Sequence, residues 1–147
     1  MPGFLPDTSC IVAALCAWHE HHAPAAGEIE RRLGRRESMH VAAPGLIEAY
    51  AVLTRLPPPY RLAPATVFAL LDGSFLSAGR MVTLSSQDYG RLLRAAPADG
   101  VAGGRMYDAV IAACARAAHA TTLLTFNDRH FAPFAGDGLV VTVPSQR

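Results

Sequence analysis

Strand-like and helix-like stretches alternate along the whole of this 147-residue sequence, and that alternation restricts the fold more than any other feature. Short apolar runs read as strands at 3–6, 39–43, 81–84, 122–125 and 139–143. Between them lie segments with helical character at about 10–18, Pro24–Arg36, Pro64–Leu71 and Arg105–Ala118. Two more helices are expected, one opened by Pro44 and stopped by the prolines at 57–59, the other capped by Ser85 or Ser86 and running to Ala96. Thr8 or Ser9 is the expected cap of the first helix, and Gly73 the expected left-handed end of the fourth. Residues 126–134 read as a turn with one helical turn inside it. This pattern builds an α/β fold, a small parallel sheet of four to five strands flanked by helices on both faces. No repeat, linker or low-complexity stretch divides it, so one domain over residues 1–147 is expected.

The apolar content of 51% and mean hydropathy of +0.21 describe a globular chain rather than a disordered one. The apolar run at 10–18 is shorter than the roughly 20 residues a membrane-spanning helix needs. With no charged start or cleavage signal, the expectation is a cytoplasmic protein without membrane association. Cys10, Cys16 and Cys114 have no metal-type spacing and read as reduced, apolar core residues. A net charge of +1 excludes a broad basic field, so any contact with nucleic acid must be local. All thirteen basic residues are arginine, which removes every mechanism that requires a lysine.

The acidic residues are placed more tellingly. In open α/β sheets ligands bind beyond the carboxyl ends of the strands, where Asp7 and Asn127 both fall. Glu48 shares its helix face with Pro44, Gly45, Ala51 and Val52, none of which can neutralise it. Asp108 has Arg105 on one side but Ile111, Ala112 and Ala115 along its face. Carboxylates that converge repel one another, and a divalent cation relieves that repulsion. Hard oxygen donors favour Mg²⁺ or Mn²⁺, and such an ion can activate water, orient a phosphodiester and stabilise the leaving oxygen. Each residue also has a plain structural account: Asp7 as a helix cap, Asp108 as a charge complementing a helix start, Asn127 in an Asx turn, Glu48 on a solvated face. Their joint placement favours the metal-dependent phosphodiesterase.

Four segments in order carry a family resemblance: 5–15 (LPDTSCIVAAL), 46–57 (LIEAYAVLTRLP), 106–115 (MYDAVIAACA) and 123–131 (LLTFNDRHF). Together they resemble the PIN-domain ribonucleases, specifically the VapC-type toxins of bacterial toxin–antitoxin pairs. The resemblance implies an acidic pocket that binds Mg²⁺ or Mn²⁺ and cleaves RNA, a transfer RNA being one such target. Asp7 then matches the first metal-ligand aspartate, Glu48 the second acidic position, Asp108 the third, and Asn127 a fourth position that is often aspartate. Ser9 matches the small hydroxyl residue that helps hold Asp7, and Asp128 is an alternative source of charge beside the neutral Asn127. On this basis Asp7 and Asp108 anchor the ion, and Glu48 positions the attacking water or a second ion. Asn127 hydrogen-bonds a metal-bound water or phosphate, and Thr125 or Ser9 supports the shell. The resemblance also implies a homodimer and a cognate antitoxin whose tail covers the pocket, frequently with an arginine.

Other features compete for attention. The run His19, Glu20, His21, His22 lacks the HExxH spacing and reads as a polar helix end near the pocket. His40, His119 and His130 stand alone. Arg31, Arg32, Arg35 and Arg36 suit phosphate binding or, equally, a solvated face paired with Glu28 and Glu30. A receiver-like phosphoacceptor domain also uses a strand-end aspartate and Mg²⁺, but it relies on a lysine that this chain lacks. A catalytically inactive PIN-type RNA-binding or scaffold module is the remaining alternative, and uptake of Mn²⁺ discriminates against it.

Overall fold

The computed structural model describes residues 2–145. Five strands form one sheet: β1 (Gly3–Pro6), β2 (Ser38–Ala42), β3 (Arg80–Val82), β4 (Thr122–Leu124) and β5 (Val140–Thr142). Every pairing between them is parallel, and the order is β3-β2-β1-β4-β5. Seven α-helices connect and cover them: α1 (Thr8–Leu15), α2 (His22–Gly34), α3 (Ala43–Thr54), α4 (Pro64–Leu71), α5 (Ser86–Ala95), α6 (Arg105–Ala117) and α7 (Asp128–Phe131). The expected four to five strands and two helical layers are therefore present, with strand ends differing by a residue or two.

A parallel sheet is buried on both faces, and its strands read as continuous apolar runs for that reason. Phe4 and Leu124 enter one core with Cys10, Ile11, Ile29, Val67 and Phe75, drawn from α1, α2, α4 and the turn after α4. Their neighbours Leu5 and Leu123 enter the other with Ile111, Cys114, Ala115 and Phe131, drawn from α6 and α7. Adjacent residues of one strand thus feed opposite cores, the period of two that a strand imposes. All three cysteines are buried and free, as expected of small apolar packing residues. Among the described residues no helix is long and apolar enough to cross a membrane.

Three local expectations need correction. The first helix begins at Thr8, and its cap is Asp7 rather than Thr8 or Ser9: the Asp7 carboxylate accepts from Cys10 N–H at 3.0 Å. Thr8 and Ser9 fall inside the first turn, and α1 closes at Leu15 rather than 18. Gly73 does not end α4 in a left-handed turn. The chain widens instead into a π-helical turn, Asp72–Leu76, closed by Ser77 N–H to Asp72 C=O at 2.9 Å. That turn delivers Phe75, 1% exposed, into the core, and its burial outweighs the glycine stop. Ser85 caps α5 as expected, accepting from Asp88 N–H at 3.1 Å.

Candidate active site

The strand order decides where a site can form. From β1 the chain crosses to β2 and then β3 on one side, and returns to place β4 and β5 on the other. The reversal lies between β1 and β4, and the crevice beyond their carboxyl ends is the natural binding position. Asp7 follows β1, and Thr125, Phe126 and Asn127 follow β4. The ladder reaches the crevice itself, since Asp7 N–H donates to Leu124 C=O at 2.9 Å. Pro6 sits at the strand end, where its missing donor costs nothing.

Asp7 is 3% exposed and held by three donors. Ser9 Oγ and Cys10 N–H donate to Oδ1 at 2.6 and 3.0 Å, and Thr125 Oγ1 donates to Oδ2 at 2.5 Å. Each hydroxyl is fixed in turn by the backbone after β4: Phe126 N–H donates to Ser9 Oγ at 3.1 Å, and Asn127 N–H to Thr125 Oγ1 at 2.8 Å. The clamp joins the start of α1 to the end of β4. Burial nevertheless outweighs these hydrogen bonds and pushes the Asp7 pKa up. A carboxylate offers about four acceptor sites, so three donors leave room for one further contact.

Helix α3 packs against both α1 and α6, which brings Glu48 into one cleft with Asp7 and Asp108. Gly45 permits this approach: a Cβ there would lie 3.2 Å from Ile111 Cδ1 of α6 and 3.6 Å from Thr8 Oγ1 of α1. Asp7, Glu48, Asp108 and Asn127 line one cleft of about 440 Å³, together with Thr8, Ser9, His19, Glu20, His21 and Phe126. Burial raises the Glu48 pKa, and the Asp108 charge adds to the shift; the nearby Thr8 hydroxyl and Arg55 offset part of it. Burial also raises Asp108, opposed by His130 and Arg105. Both carboxylates are therefore harder to ionise than in water.

The donor set fits a hard divalent cation. The carboxylates supply hard oxygen donors, burial raises the pKa of all three, and Thr8 Oγ1 is a buried cleft hydroxyl with no hydrogen-bond partner of ordinary length. Among the described residues, no three His, Cys, Asp or Glu side chains already converge on one point at ligating distance. Mg²⁺ typically keeps several waters and takes one or two carboxylates, so such convergence is not required of it.

The remaining expectations divide. Thr125 and Ser9, expected in the supporting shell, both donate to the Asp7 carboxylate. Asn127 lines the cleft and does not cap α7 with its side chain. Asp128 does not join the site: it is exposed in the first turn of α7, where a carboxylate suits the helix start. The histidine run does reach the cleft, through His19 and His21, although it links α1 to α2 rather than ending a helix. His130, set aside as solitary, places Nδ1 3.7 Å from Asp108 Oδ2. Phe126 and Thr8 carried no sequence signal beyond their adjacency to Thr125 and Asp7. Arg31 and Arg32 are engaged by Glu28 at 2.6 and 2.9 Å, and Arg32 also by Glu37 at 2.9 Å, which favours the paired-face reading.

Comparison with known proteins supplies the family. The PIN domain family matches over residues 4–136. The chain belongs to the PIN-domain family. Ribonuclease VapC40 of Mycobacterium tuberculosis is 37% identical over 118 residues, covering 80% of this chain and 82% of that protein, which places this PIN domain among the VapC-type ribonucleases. Among solved structures, Mycobacterium tuberculosis VapC20, described as a toxin that cleaves the sarcin–ricin loop, aligns with a TM-score of 0.69 at 15% identity, covering 89% of this chain and 95% of that one. DNA-bound VapBC from Salmonella typhimurium aligns with a TM-score of 0.67 at 22% identity, covering 99% and 100%. A receiver-like reading is excluded by the strand order as well, because that arrangement runs 2-1-3-4-5 rather than 3-2-1-4-5.

Proposed function

We propose that this PIN domain is a divalent-metal-dependent endoribonuclease, the toxin of a VapBC-type pair, in which Asp7, Glu48 and Asp108 hold Mg²⁺ or Mn²⁺. The observation that carries the proposal is the cleft at the β1/β4 reversal. There three carboxylates from separate elements are each destabilised by burial, while two hydroxyls fix one of them. When bound, the ion supplies a lowered water pKa and charge stabilisation for phosphodiester hydrolysis.

The chain's own groups do the rest. Asp7 and Asp108 hold the cation, with Ser9 and Thr125 fixing the orientation of Asp7. Glu48, whose pKa burial and the Asp108 charge raise, orients the attacking water and accepts its proton. Asn127 donates its side-chain N–H to a phosphate oxygen or to a water of the ion's shell. RNA as the substrate, with a transfer RNA as one such target, implies action in the cytoplasm.

The same reading includes a cognate antitoxin and a homodimer. An apolar hollow of about 670 Å³, lined by Pro44, Ile47, Ala51, Tyr89 and Tyr107, borders the cleft and shares Glu48 with it. Ile47 is 72% exposed and Tyr107 66%, so the hollow offers apolar surface to a partner chain that could extend over the carboxylates.

The test is RNA cleavage by the purified protein, abolished by chelator, restored by Mg²⁺ or Mn²⁺, and absent in Asp108→Asn. Undiminished cleavage by Asp108→Asn would sink the assigned roles. A non-catalytic RNA-binding reading draws on the spread of the three carboxylates and the neutral Asn127. Calorimetry decides between them: no Mn²⁺ uptake at millimolar concentration would favour the inactive module.

A further inference from the structure

Beside the carboxylates the cleft carries a series of aromatic rings for which hydrolysis has no use. Phe126 stacks on His21 with centroids 4.4 Å apart and planes within 12°. His21 leads to His19 at 5.7 Å, His19 to Trp18 at 5.9 Å, and Trp18 to Tyr60 at 4.4 Å with a tilt of 38°. The inner three rings line the cleft. The outer two are 51% and 45% exposed, and neither belongs to a hydrophobic core.

Phe126 packs against the first core, and local hydrogen bonds hold the histidine run beside it. His21 N–H donates to His19 Nδ1 at 3.0 Å, and His22 Nδ1 pairs with Ala13 C=O at 2.9 Å. Burial, with His21 and His22 alongside and Glu20 opposing, lowers the His19 pKa. The result is a row of rings beginning one residue from Asn127, its inner pair stacked on each other and its outer pair open to solvent. Exposed and half-buried rings beside a phosphodiester site match one ligand chemistry well. Every nucleobase has a π face, and stacking on aromatic side chains is the sequence-tolerant way of binding unpaired strands. A duplex keeps its bases stacked internally and cannot use such a row.

We propose that Tyr60, Trp18, His19, His21 and Phe126 form a stacking platform for unpaired bases of a single-stranded RNA segment whose phosphodiester lies over the acidic cleft. The proposal rests on the ribonuclease reading and adds how the strand is gripped and why it must be unpaired.

Trp18 is the sole tryptophan, so its fluorescence reports on the platform directly. The intact protein is titrated with a short unpaired RNA oligonucleotide in chelator, which keeps hydrolysis out of the measurement. Dye anisotropy reports binding in parallel. Tryptophan emission is expected to fall in step with the rise in anisotropy. Trp18→Ala and Tyr60→Ala should each weaken binding by about 5- to 150-fold, the range for loss of one stacked base. Trp18→Phe should recover most of the affinity, and an abasic oligonucleotide should lose it. Both rings lie outside the cores, and an unchanged melting temperature confirms that the variants fold.

Unchanged affinity in Trp18→Ala would overturn the proposal. So would equal binding of the abasic strand, saturation with no change in tryptophan emission, or no RNA binding at all. A response to a partner protein but not to RNA would assign the surface to that protein and overturn it too. The two readings fail separately. A protein that binds RNA through Trp18 but never cleaves it with Mg²⁺ or Mn²⁺ would sink the nuclease alone. A protein that cleaves RNA but is indifferent to Trp18→Ala would sink the platform alone.

Discussion

At the scale of single residues, Asp7 has two tasks that pull against each other. It caps α1 through Cys10 N–H, and it sits as a carboxylate in a place where burial raises its pKa. Ser9 and Thr125 make the charge tolerable. Replacing Thr125 by valine keeps the shape but removes the donor to Oδ2, and should lower stability by about 1–3 kcal/mol in urea denaturation at neutral pH. Thr125→Ser, which keeps the hydroxyl, should lose much less; equal losses would mean that the methyl group, not the hydrogen bond, matters. Asp108→Asn should behave in the opposite way. It removes a carboxylate that burial disfavours, so its melting temperature at neutral pH should equal or exceed that of the wild type while RNA cleavage disappears. The residue types at both positions were legible in the sequence. The family resemblance puts Thr125 in the supporting shell, but its bond to Asp7 Oδ2 is not legible, because 118 residues separate the two and no local pattern links them.

At the scale of elements, the site depends on how closely α3 approaches α1 and α6. Gly45 sets that distance, since even a Cβ meets Ile111 Cδ1 at 3.2 Å. A Gly45→Val substitution puts two more carbons into this contact and should cost about 1–3 kcal/mol through overpacking. Because the helices must part, cleavage should fall further than in a core variant of equal stability loss distant from α3. Equal activity at matched stability would show that the spacing is not critical. Sequence periodicity located α3 and the apolar face bearing Glu48, but it carried no sign that Gly45 was a spacer rather than a turn residue. The start of α1 turns on a related choice, between Asp7 as the cap and Thr8 or Ser9. Thr8, Ser9 and Asp7 all make acceptable caps, and the choice fell to Asp7 once Ser9 was committed to donating to it.

At the scale of the whole molecule, a bound cation would tie β1, α3 and α6 together, and its effect has a definite pH sign. Asp7, Glu48 and Asp108 all have folded-state pKa values above their ordinary ones. In the metal-free protein these three groups therefore favour the folded state more as pH falls through their raised folded pKa values, an effect complete below their unfolded values. As pH rises, that contribution is lost, and a cation that accepts the ionised forms restores it. Mn²⁺ should accordingly raise the melting temperature at neutral pH, by less as the pH is lowered toward the carboxylate range, because protons compete for the same oxygens. A shift that grows toward acid pH would contradict a carboxylate site. By itself the sequence determined the class of fold, the two helical layers and the placement of acidic residues at strand ends and on apolar helix faces, since each is written in a local period of two or 3.6 residues. Only the tertiary structure decided that β4 lies beside β1, that the crevice opens between them and that the aromatic run after α1 borders it. Strand order is set by which apolar faces cover each other across the whole chain, and no short stretch of residues encodes that choice.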